Sequence, residues 1–598
     1  MMEAKPMTRL EIVRNLMAKR SIDAYMIVSD DYHNSEYVGD YFKVREYVSG
    51  FTGSAGTVVI TMDKAGLWTD GRYFVQAEKQ LQGTGIDLYK SGMPGVPTIE
   101  EFLKANLKEK DVLCVDGKTV SYEQGKKLND FLEENQMSMF YDVDLVSKFW
   151  EDRPEMSKEK AYSISAEYTG QTREEKLTKL RDKMKENNRE VMVLSSLDDI
   201  CWLLNIRGND IKYNPVVLAY MIISLEKCIL YVGEDVVSEE LAAELKDIRI
   251  RNYMDIYEDI KKLKEFVVYD RKIMFDGKKT NYAIGKLLMN YEDTMLIDNP
   301  TTLMKAVKTP VEVKNMREAH IMDGVALTKF MYHIKKQGTN VKENEYELGK
   351  LVAEYRSKNE GYMGESFEPI VAFGANAAMC HYEATEDECS TVGKDSFLLF
   401  DTGGQYLKGT TDVTRTIAIG QVSTLMKKHY TAVLKGNLRL GAVRFPYGVR
   451  GINLDVLARE SLWEIGLDYN HGTGHGVGYF LNVHEGPNSI RFRGNDTTPF
   501  EEGMITSNEP GYYEEGKYGI RLENLILCKE LCVTEYGKFM EFETLTFVPF
   551  DRDCIDVSML NEKEKTLLNN YHNEVYKKIS PFLNEEEVEW LKEATEKI

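Results

Sequence analysis

The 598-residue sequence predicts a multidomain protein of the α/β and α+β fold classes. Two segments, beginning at Thr8 and Thr172, each show an amphipathic helix, a short apolar strand and then Ser and Asp, as two copies of one unit would. After the first copy, strand-like and helix-like runs alternate, which is typical of an α/β domain. From residue 309 the order changes to two helices followed by strands, and this order occurs twice. We therefore expect two related α/β domains followed by an internally duplicated α+β domain.

Changes in composition and helix start signals predict the domain boundaries. The segment WEDRPEMSKEK, residues 150–160, is charged and contains Pro154, which is typical of a linker. Thr309 and Pro310 have the properties of an N-cap and a first-turn residue at the start of a long amphipathic helix. The predicted divisions are an α/β domain at 1–155, a related domain at 156–308, an α+β domain at 309–545 and a helical extension at 546–598.

The composition indicates an ordinary globular protein, with 43% hydrophobic and 29% charged residues. The net charge of -21 argues against a nucleic-acid partner, because phosphate binding depends on clustered Lys and Arg. The longest apolar run, residues 216–223, is too short to span a bilayer. The eight cysteines are scattered, as reduced and packed thiols are. We expect a cytoplasmic protein without nucleic-acid or membrane partners.

A first pair of acids lies in FLLFDTGGQYLKGTTDVTRTIAI, residues 397–419, where two β-prone runs flank a glycine-containing loop. With the midpoint between Tyr406 and Leu407, Asp401 and Asp412 face each other directly across the hairpin. Facing residues have Cβ atoms about 4.5–5.5 Å apart, a distance at which like charges repel. The alternative is a pair of solvated surface acids, but the flanking runs are apolar, and burying unpaired carboxylates is costly. We expect a cation between them.

A second hairpin, residues 505–527, repeats this arrangement. Centred on Gly516, it places Glu509 opposite Glu523. Between the two hairpins, HGTGHGVG has a two-residue glycine period, which predicts an extended strand with His471 and His475 on one face. We expect a substrate backbone and metal ions to approach the bare backbone. A phosphate-binding loop is the alternative, but no Lys-Ser/Thr and no helix follow.

Charge balance favours two divalent cations at these acids. Four carboxylates carry four negative charges, and the imidazole of His475 binds a metal as a neutral ligand. An oxygen-rich set with one histidine suits Mn, Co or Zn better than a thiolate site would. Two ions about 3.5–4 Å apart can hold a hydroxide near neutral pH and polarise a carbonyl. The sequence therefore predicts metal-assisted hydrolysis.

Several motifs resemble those of the pita-bread metallopeptidases, most closely the long, three-domain cytosolic Xaa-Pro aminopeptidases. They are DTGGQYLKGTTDVTRT, HGTGHGVG with NVHEGP, SNEPGYY and GIRLEN. FTGSAG, WTDGRYFVQA and RGNDIKYNPV extend the resemblance towards the N-terminus. The resemblance implies two creatinase-like N-terminal α/β domains, a C-terminal pita-bread catalytic domain and a homodimer.

The resemblance also implies roles for particular residues. Two metal ions, usually manganese, would be bound by Asp401, Asp412, His475, Glu509 and Glu523, with Asp412 and Glu523 bridging. The substrate and transition state would be hydrogen-bonded by His381, His471 and His484. Glu509 would also take the proton of the attacking hydroxide.

Specificity for proline is less visible in the sequence. An X-Pro bond has no N–H donor and a fixed φ, so its pocket should be apolar. Arg72 and Tyr213 to Pro215 are candidates for the mouth of the site, or else residues of the fold. Arg521, two residues before Glu523, orients a ligand carboxylate or is an exposed arginine.

The expected function is removal of the first residue from peptides with proline at position 2. One rival is an Xaa-Pro dipeptidase on the same fold, against which the chain length argues. Another is a non-catalytic peptide- or histone-binding module, and a third is a metal-free creatine hydrolase. The presence of all five expected metal ligands argues against both.

Overall fold

The computed structural model describes residues 7–263, 272–494 and 497–598. The chain divides into two compact units. The first comprises Met1–Ile164 with Arg173–Thr301, and the second comprises Ser165–Thr172 with Thr302–Ile598. Within the described ranges, none of the helices combines the length and the apolar character that crossing a membrane requires.

The first unit begins with a six-stranded sheet in the order β4-β3-β2-β1-β5-β6. Its strands are β1 (Ala24–Ile27), β2 (Thr57–Thr61), β3 (Ala65–Thr69), β4 (Asp87–Lys90), β5 (Val112–Val115) and β6 (Ser138–Phe140). Its helices are Arg9–Lys19, Val44–Ser49, Phe74–Gln80, Ile99–Asn106 and Tyr122–Glu134. Thr8 begins the first helix, because its side chain accepts a hydrogen bond from the backbone N–H of Glu11.

A second six-stranded sheet in the same unit has the order β12-β11-β10-β8-β13-β14. The strands of this region are β7 (Tyr162–Ser163), β8 (Val191–Leu194), β9 (Ile206–Arg207), β10 (Ala219–Ser224), β11 (Cys228–Val232), β12 (Ile248–Asn252), β13 (Ile273–Phe275) and β14 (Thr294–Leu296). The helices are Arg173–Glu186, Leu197–Leu204, Glu239–Glu244, Asp255–Lys261 and Tyr282–Leu288, and the helix Pro300–Ala306 continues from this unit into the second.

The two sheets share one topology. Central strands β1 and β8 each pair antiparallel with the next long strand and parallel with a later one. Both outer pairs, β3–β4 and β11–β12, are parallel. The predicted repetition of one α/β unit is therefore confirmed.

The second unit shows the predicted order of two helices followed by strands, twice. Helices Pro310–Gln337 and Glu345–Ser357 precede β15 (Tyr362–Glu365), β16 (Ile370–Phe373), β17 (Ser396–Thr402), β18 (Gly404–Tyr406), β19 (Gly409–Thr410) and β20 (Val413–Ile419). In the second half, β21 (Arg444–Pro446) lies between helices Thr424–Gly441 and Gly451–Trp463. The strands that follow are β22 (Gly474–His475), β23 (Ser489–Ile490), β24 (Ile505–Asn508), β25 (Gly511–Glu514), β26 (Tyr518–Arg521), β27 (Asn524–Thr534) and β28 (Gly537–Thr544). The chain continues with helices Glu562–Ile579 and Glu585–Ala594.

The long helix of the second unit begins where the sequence predicts. The side chain of Thr309 accepts a hydrogen bond from Glu312, and Pro310 occupies the first turn. The helix packs with β17 and β20 in a hydrophobic core that includes Leu327, Phe330 and Phe400. This core lies behind the strands that carry the predicted metal ligands.

Candidate active site

The first hairpin has a different centre from the predicted one. Asp401 pairs with Thr414 across β17 and β20, and the turn consists of Leu407 and Lys408. The prediction that Asp401 and Asp412 are directly opposite is therefore wrong by two residues. A shift of two keeps side chains on the same face, so the aspartates are diagonal neighbours, a relation that places Cβ atoms about 7–8 Å apart.

The second hairpin has the predicted register. The β24–β27 and β25–β26 ladders share one register and place Glu509 opposite Glu523. The backbone N–H groups of Glu509 and Glu523 donate to other segments and not to each other's carbonyl groups. That of Glu509 donates to the carbonyl of Thr473 (2.8 Å), and that of Glu523 donates to the carbonyl of Thr414 (3.0 Å). The ends of both hairpins and the histidine segment are thereby connected.

The segment around His475 is extended at β22, as predicted. The backbone N–H of His475 donates to Ser507 Oγ (2.9 Å). A Cβ at Gly474 would lie 1.9 Å from the carbonyl oxygen of Ser507, and one at Gly476 would lie 2.0 Å from that of Glu485. The absence of side chains at Gly474 and Gly476 therefore makes room for the backbone of Ser507 and Glu485. The expectation that a substrate backbone and metal ions approach these glycines is wrong.

Side chains from these three segments converge at one place. Asp412, His475 and Glu523 each offer a ligand atom within 4.8 Å of the others. His475 Nε2 lies 3.5 Å from Asp412 Oδ2 and 3.4 Å from Glu509 Oε1. Asp401 Oδ1 and Glu523 Oε1 are buried, and no hydrogen-bond partner for either oxygen exists in the described part of the chain. Orphaned buried oxygens beside an imidazole fit a site for hard or borderline cations.

The electrostatics of the cluster also favour a cation. Burial raises the pKa of Asp401, Glu509 and Glu523, and the charge of Asp412 raises each further. Burial lowers the pKa of His475, but the carboxylates of Asp412 and Glu509 outweigh it and raise this pKa to about 9. The cluster therefore holds protons unless metal ions replace them.

Arg521 lies against one of the predicted ligands. Its Nη2 donates to Asp401 Oδ2 at 2.6 Å, and its Nη1 donates to the hydroxyl of Tyr513 at 2.7 Å. Arg521 is only 4% exposed, so the alternative of an exposed arginine does not hold. The guanidinium orients Asp401 and offsets part of its charge.

Both ring nitrogens of His471 contact protein atoms. Nδ1 lies 2.7 Å from the carbonyl of Gly472, which only accepts, so Nδ1 carries the proton. Nε2 lies 2.8 Å from the hydroxyl of Tyr513, which already accepts from Arg521 and therefore donates its own proton to Nε2. Burial and the nearby Arg521 charge lower the pKa of His471 to about 3.

Tyr513 was missed by sequence reasoning, although a signal existed. It lies on β25, four residues after Glu509 and therefore on the same face of the ribbon.

The other two predicted histidines, His484 and His381, lie on different sides of the cluster. The His484 ring lies 4.3 Å from the His475 ring, centroid to centroid. His381 follows Cys380, whose carbonyl lies 3.5 Å from Arg521 Nη2.

The remaining candidates lie in the first unit. Arg72 binds both oxygens of Asp70, at 2.9 and 2.8 Å. Tyr213 adopts a left-handed backbone conformation with φ of 71°. The placement of Arg72 and of 213–215 near the mouth of the site stays a prediction.

The chain is similar to known families and to individual proteins over nearly its whole length. The model "Metallopeptidase family M24" matches residues 314–530. The model "Creatinase/Prolidase N-terminal domain" matches twice, at 9–146 and 152–312. The model for the C-terminal region of peptidase M24 matches residues 538–598.

The chain is 39% identical to the probable Xaa-Pro aminopeptidase P of Paracoccidioides brasiliensis (strain Pb03), over 99% of both proteins. It is 38% identical to Aminopeptidase P2 of Arabidopsis thaliana, over 96% of this chain and 86% of that protein. The crystal structure of the Caenorhabditis elegans X-prolyl aminopeptidase, a cytosolic enzyme with a di-nuclear active site, matches 99% of this chain and 100% of that one, with a TM-score of 0.94 and 34% identity. The Xaa-Pro dipeptidase of Bacillus anthracis matches only 64% of this chain and 99% of that one, with a TM-score of 0.51 and 26% identity. The chain belongs to the metallopeptidase family M24, in the group of Xaa-Pro aminopeptidases with creatinase N-terminal domains and a pita-bread C-terminal domain.

Proposed function

We propose that the chain is a metal-dependent aminopeptidase that hydrolyses the first peptide bond of peptides with proline at position 2. The observation that carries this proposal is the buried cluster of acids around His475, with orphaned oxygens on Asp401 and Glu523. The full-length similarity to X-prolyl aminopeptidases supports the substrate class. The dipeptidase alternative is less well supported, because the B. anthracis enzyme matches only 64% of this chain.

Five side chains would hold two divalent cations, most favourably manganese, with cobalt or zinc as alternatives: Asp401, Asp412, His475, Glu509 and Glu523. The oxygen-rich donor set with one imidazole supports this choice. When bound, such ions lower the pKa of water and polarise a carbonyl oxygen.

Glu509 is the proposed general base. Ser507 Oγ donates to Glu509 Oε1 (3.1 Å) and accepts from the backbone of His475, which fixes the carboxylate. A carboxylate fixed in this way can accept a proton from a group within hydrogen-bond reach. In this position it would take a proton from the attacking water and return it to the leaving nitrogen.

The histidines would act on the substrate in different ways. His484, beside His475, would donate a hydrogen bond to the oxygen that becomes negative in the transition state. His381 would contact the substrate from the opposite loop. His471 already uses both nitrogens within the protein, so we propose that it acts by holding Tyr513 and Arg521 in place.

Other features of the proposal concern the whole chain. The cytosolic relative from C. elegans supports a cytoplasmic location. We also propose a homodimer, which sedimentation analysis would test. The divisions at 1–155, 156–308, 309–545 and 546–598 are part of the same proposal, and limited proteolysis would test them.

One experiment separates the alternatives. The purified protein is assayed with an Xaa-Pro-Xaa tripeptide, the matching Xaa-Pro dipeptide and an Xaa-Ala-Xaa tripeptide, before and after chelation. We expect cleavage of the first peptide only, its loss on chelation and its return with manganese. Preferential cleavage of the dipeptide would favour the dipeptidase, and cleavage that survives complete metal removal would contradict the proposal.

A further inference from the structure

The loop that carries His381 connects β16 to β17. It begins with a 3-10 helix, Gly374–Ala378, and leads into the strand that ends with Asp401 and Thr402. The stretch from residue 383 to 391 is largely exposed. A connection of this length needs specific contacts if one of its side chains is to keep a fixed position.

One carboxylate collects the hydrogen bonds of this loop. Glu345 accepts from the backbone N–H groups of Phe373 and Ser390, both at 2.7 Å. It also accepts from the hydroxyl of Tyr382 at 2.7 Å and from Asn376 Nδ2 at 3.0 Å to each oxygen. These donors come from the start, the middle and the end of the loop.

The position of Glu345 explains how a charge can serve this purpose. The residue is fully buried, with 0% of its surface exposed. It is the first residue of the helix Glu345–Ser357, where the unpaired N–H groups of the helix favour a negative charge. All four donating groups are neutral, and hydrogen bonds from such donors to an ionised carboxylate are stronger than those between neutral groups. Tyr382 immediately follows His381, so its bond to Glu345 acts one residue from the imidazole.

The opposite side of the loop contacts the strands of the candidate active site. The carbonyl oxygen of Ala377 packs against Gly519 on β26, where an added Cβ atom would lie only 1.8 Å from this oxygen. The carbonyl of Cys380 lies 3.5 Å from Arg521 Nη2, and Arg521 binds Asp401. The loop is therefore held between Glu345 on one side and the predicted metal ligands on the other.

We propose that Glu345 is a positioning residue for His381, acting through the loop and without touching the substrate. The proposal rests on the proposed function, in which His381 contacts the peptide. A fixed loop holds the imidazole ready before substrate binds, and a displacement of about 1 Å at such a group can cost about 100-fold in rate.

The test uses Glu345→Gln, which keeps the shape but replaces one accepting oxygen with an NH2 group. The NH2 group cannot accept a hydrogen bond. The loop therefore loses either the bond from Phe373 to Oε1 or the bonds from Tyr382 and Ser390 to Oε2. Glu354→Gln is the matched control, because Glu354 lies on the same helix with its side chain 63% exposed. We expect kcat/KM for an Xaa-Pro-Xaa peptide to fall about 10- to 100-fold in Glu345→Gln and to stay unchanged in the control.

A double-mutant cycle with His381→Ala distinguishes positioning from a general loss of structure. In the His381→Ala background, Glu345→Gln should lower kcat/KM by less than about threefold, because the effects of two residues that act through one another do not add. An equal loss in both backgrounds would overturn the proposal.

Hydrogen exchange gives a readout that does not depend on activity. The amide of Phe373 or that of Ser390, whichever faces the new NH2 group, should exchange faster in Glu345→Gln than in the unsubstituted protein or in Glu354→Gln. Unchanged exchange would overturn the positioning role. Failure of the unsubstituted protein to cleave Xaa-Pro bonds would instead overturn the proposed function.

Discussion

Among the predicted metal ligands, Asp401 has part of its negative charge balanced by a protein side chain, that of Arg521. Its Oδ2 lies 2.6 Å from Arg521 Nη2, while its Oδ1 has no partner among the described residues. One oxygen is thus fixed by the protein and the other is left for a cation. Both residues lie on the same face of neighbouring ribbons, and their pairing links the two hairpins.

Replacing Arg521 with Met should destabilise the metal-free protein by about 1–3 kcal/mol, because the buried Asp401 and Tyr513 each lose a hydrogen bond from its guanidinium. Urea unfolding in the presence of a chelator measures this loss. Arg317→Met is the control, since its pair with Glu543 is half exposed and should contribute less than about 1 kcal/mol. Equal losses in the two variants would contradict the role given to Arg521.

The pKa shifts of the cluster predict a pH dependence for metal binding. The pKa values of Glu509, Glu523 and His475 are raised in the folded state, the last to about 9. A raised folded-state pKa contributes stability below the unfolded pKa, and this stability is lost as the pH rises through the folded value. The contribution of this cluster to the stability of the metal-free protein therefore falls as the pH rises, while metal ions, which replace the protons, bind more tightly.

We predict that manganese raises the thermal unfolding midpoint more at about pH 8 than at about pH 6, because fewer protons then compete for the ligands. Calorimetry with and without the metal at each pH measures the difference. A rise that is the same at both values would show that proton release is not linked to binding.

Among the elements, the segment before the long helix anchors the loop that carries His484. Lys308 Nζ lies 2.8 Å from Glu485 Oε1, and Lys305 Nζ lies 3.5 Å from Oε2. All three side chains are buried. The N–H of Glu485 donates to the carbonyl of Gly476 at 2.8 Å, next to His475. The two lysines therefore hold His484 against His475.

Lys308→Met should lower kcat by about 100-fold, because a small displacement of His484 moves a hydrogen-bond donor away from the substrate. Steady-state kinetics and thermal unfolding check this result. Lys314→Met is the control, because the Lys314 side chain is 76% exposed and 3.9 Å from its partner. Normal kcat in Lys308→Met would remove the buried pair from this account.

The hairpins show what the sequence can predict at this scale. The second hairpin has one glycine in a short turn signal, EEGK, which fixes its centre and the pairing of Glu509 with Glu523. The first has glycines at 403, 404 and 409, and a register shift of two leaves its apolar pattern unchanged. Pattern alone therefore gives the face of Asp401 and Asp412 but not their exact pairing. The contact of Lys308 with Glu485 joins residues 177 positions apart and has no local signature.

In the molecule as a whole, the repeat that the sequence suggests reappears as two sheets with one strand order. The predicted metal ligands and the three histidines all lie in the second unit. The sequence identifies the metal ligands because they lie in or beside strand-like motifs, and it identifies His381, His471 and His484 through the family resemblance. Glu345 has no such signal, since a buried acid at a helix start is a common feature, whereas Tyr513 lies within SNEPGYY and its role appears only from its contacts with His471 and Arg521.

Two divalent cations held by four carboxylates and His475 should be visible by anomalous diffraction from crystals grown with manganese. We expect two anomalous peaks among Asp401, Asp412, His475, Glu509 and Glu523. No peak among these side chains, or carboxylates that point away from one another around a single ion, would contradict this two-metal site.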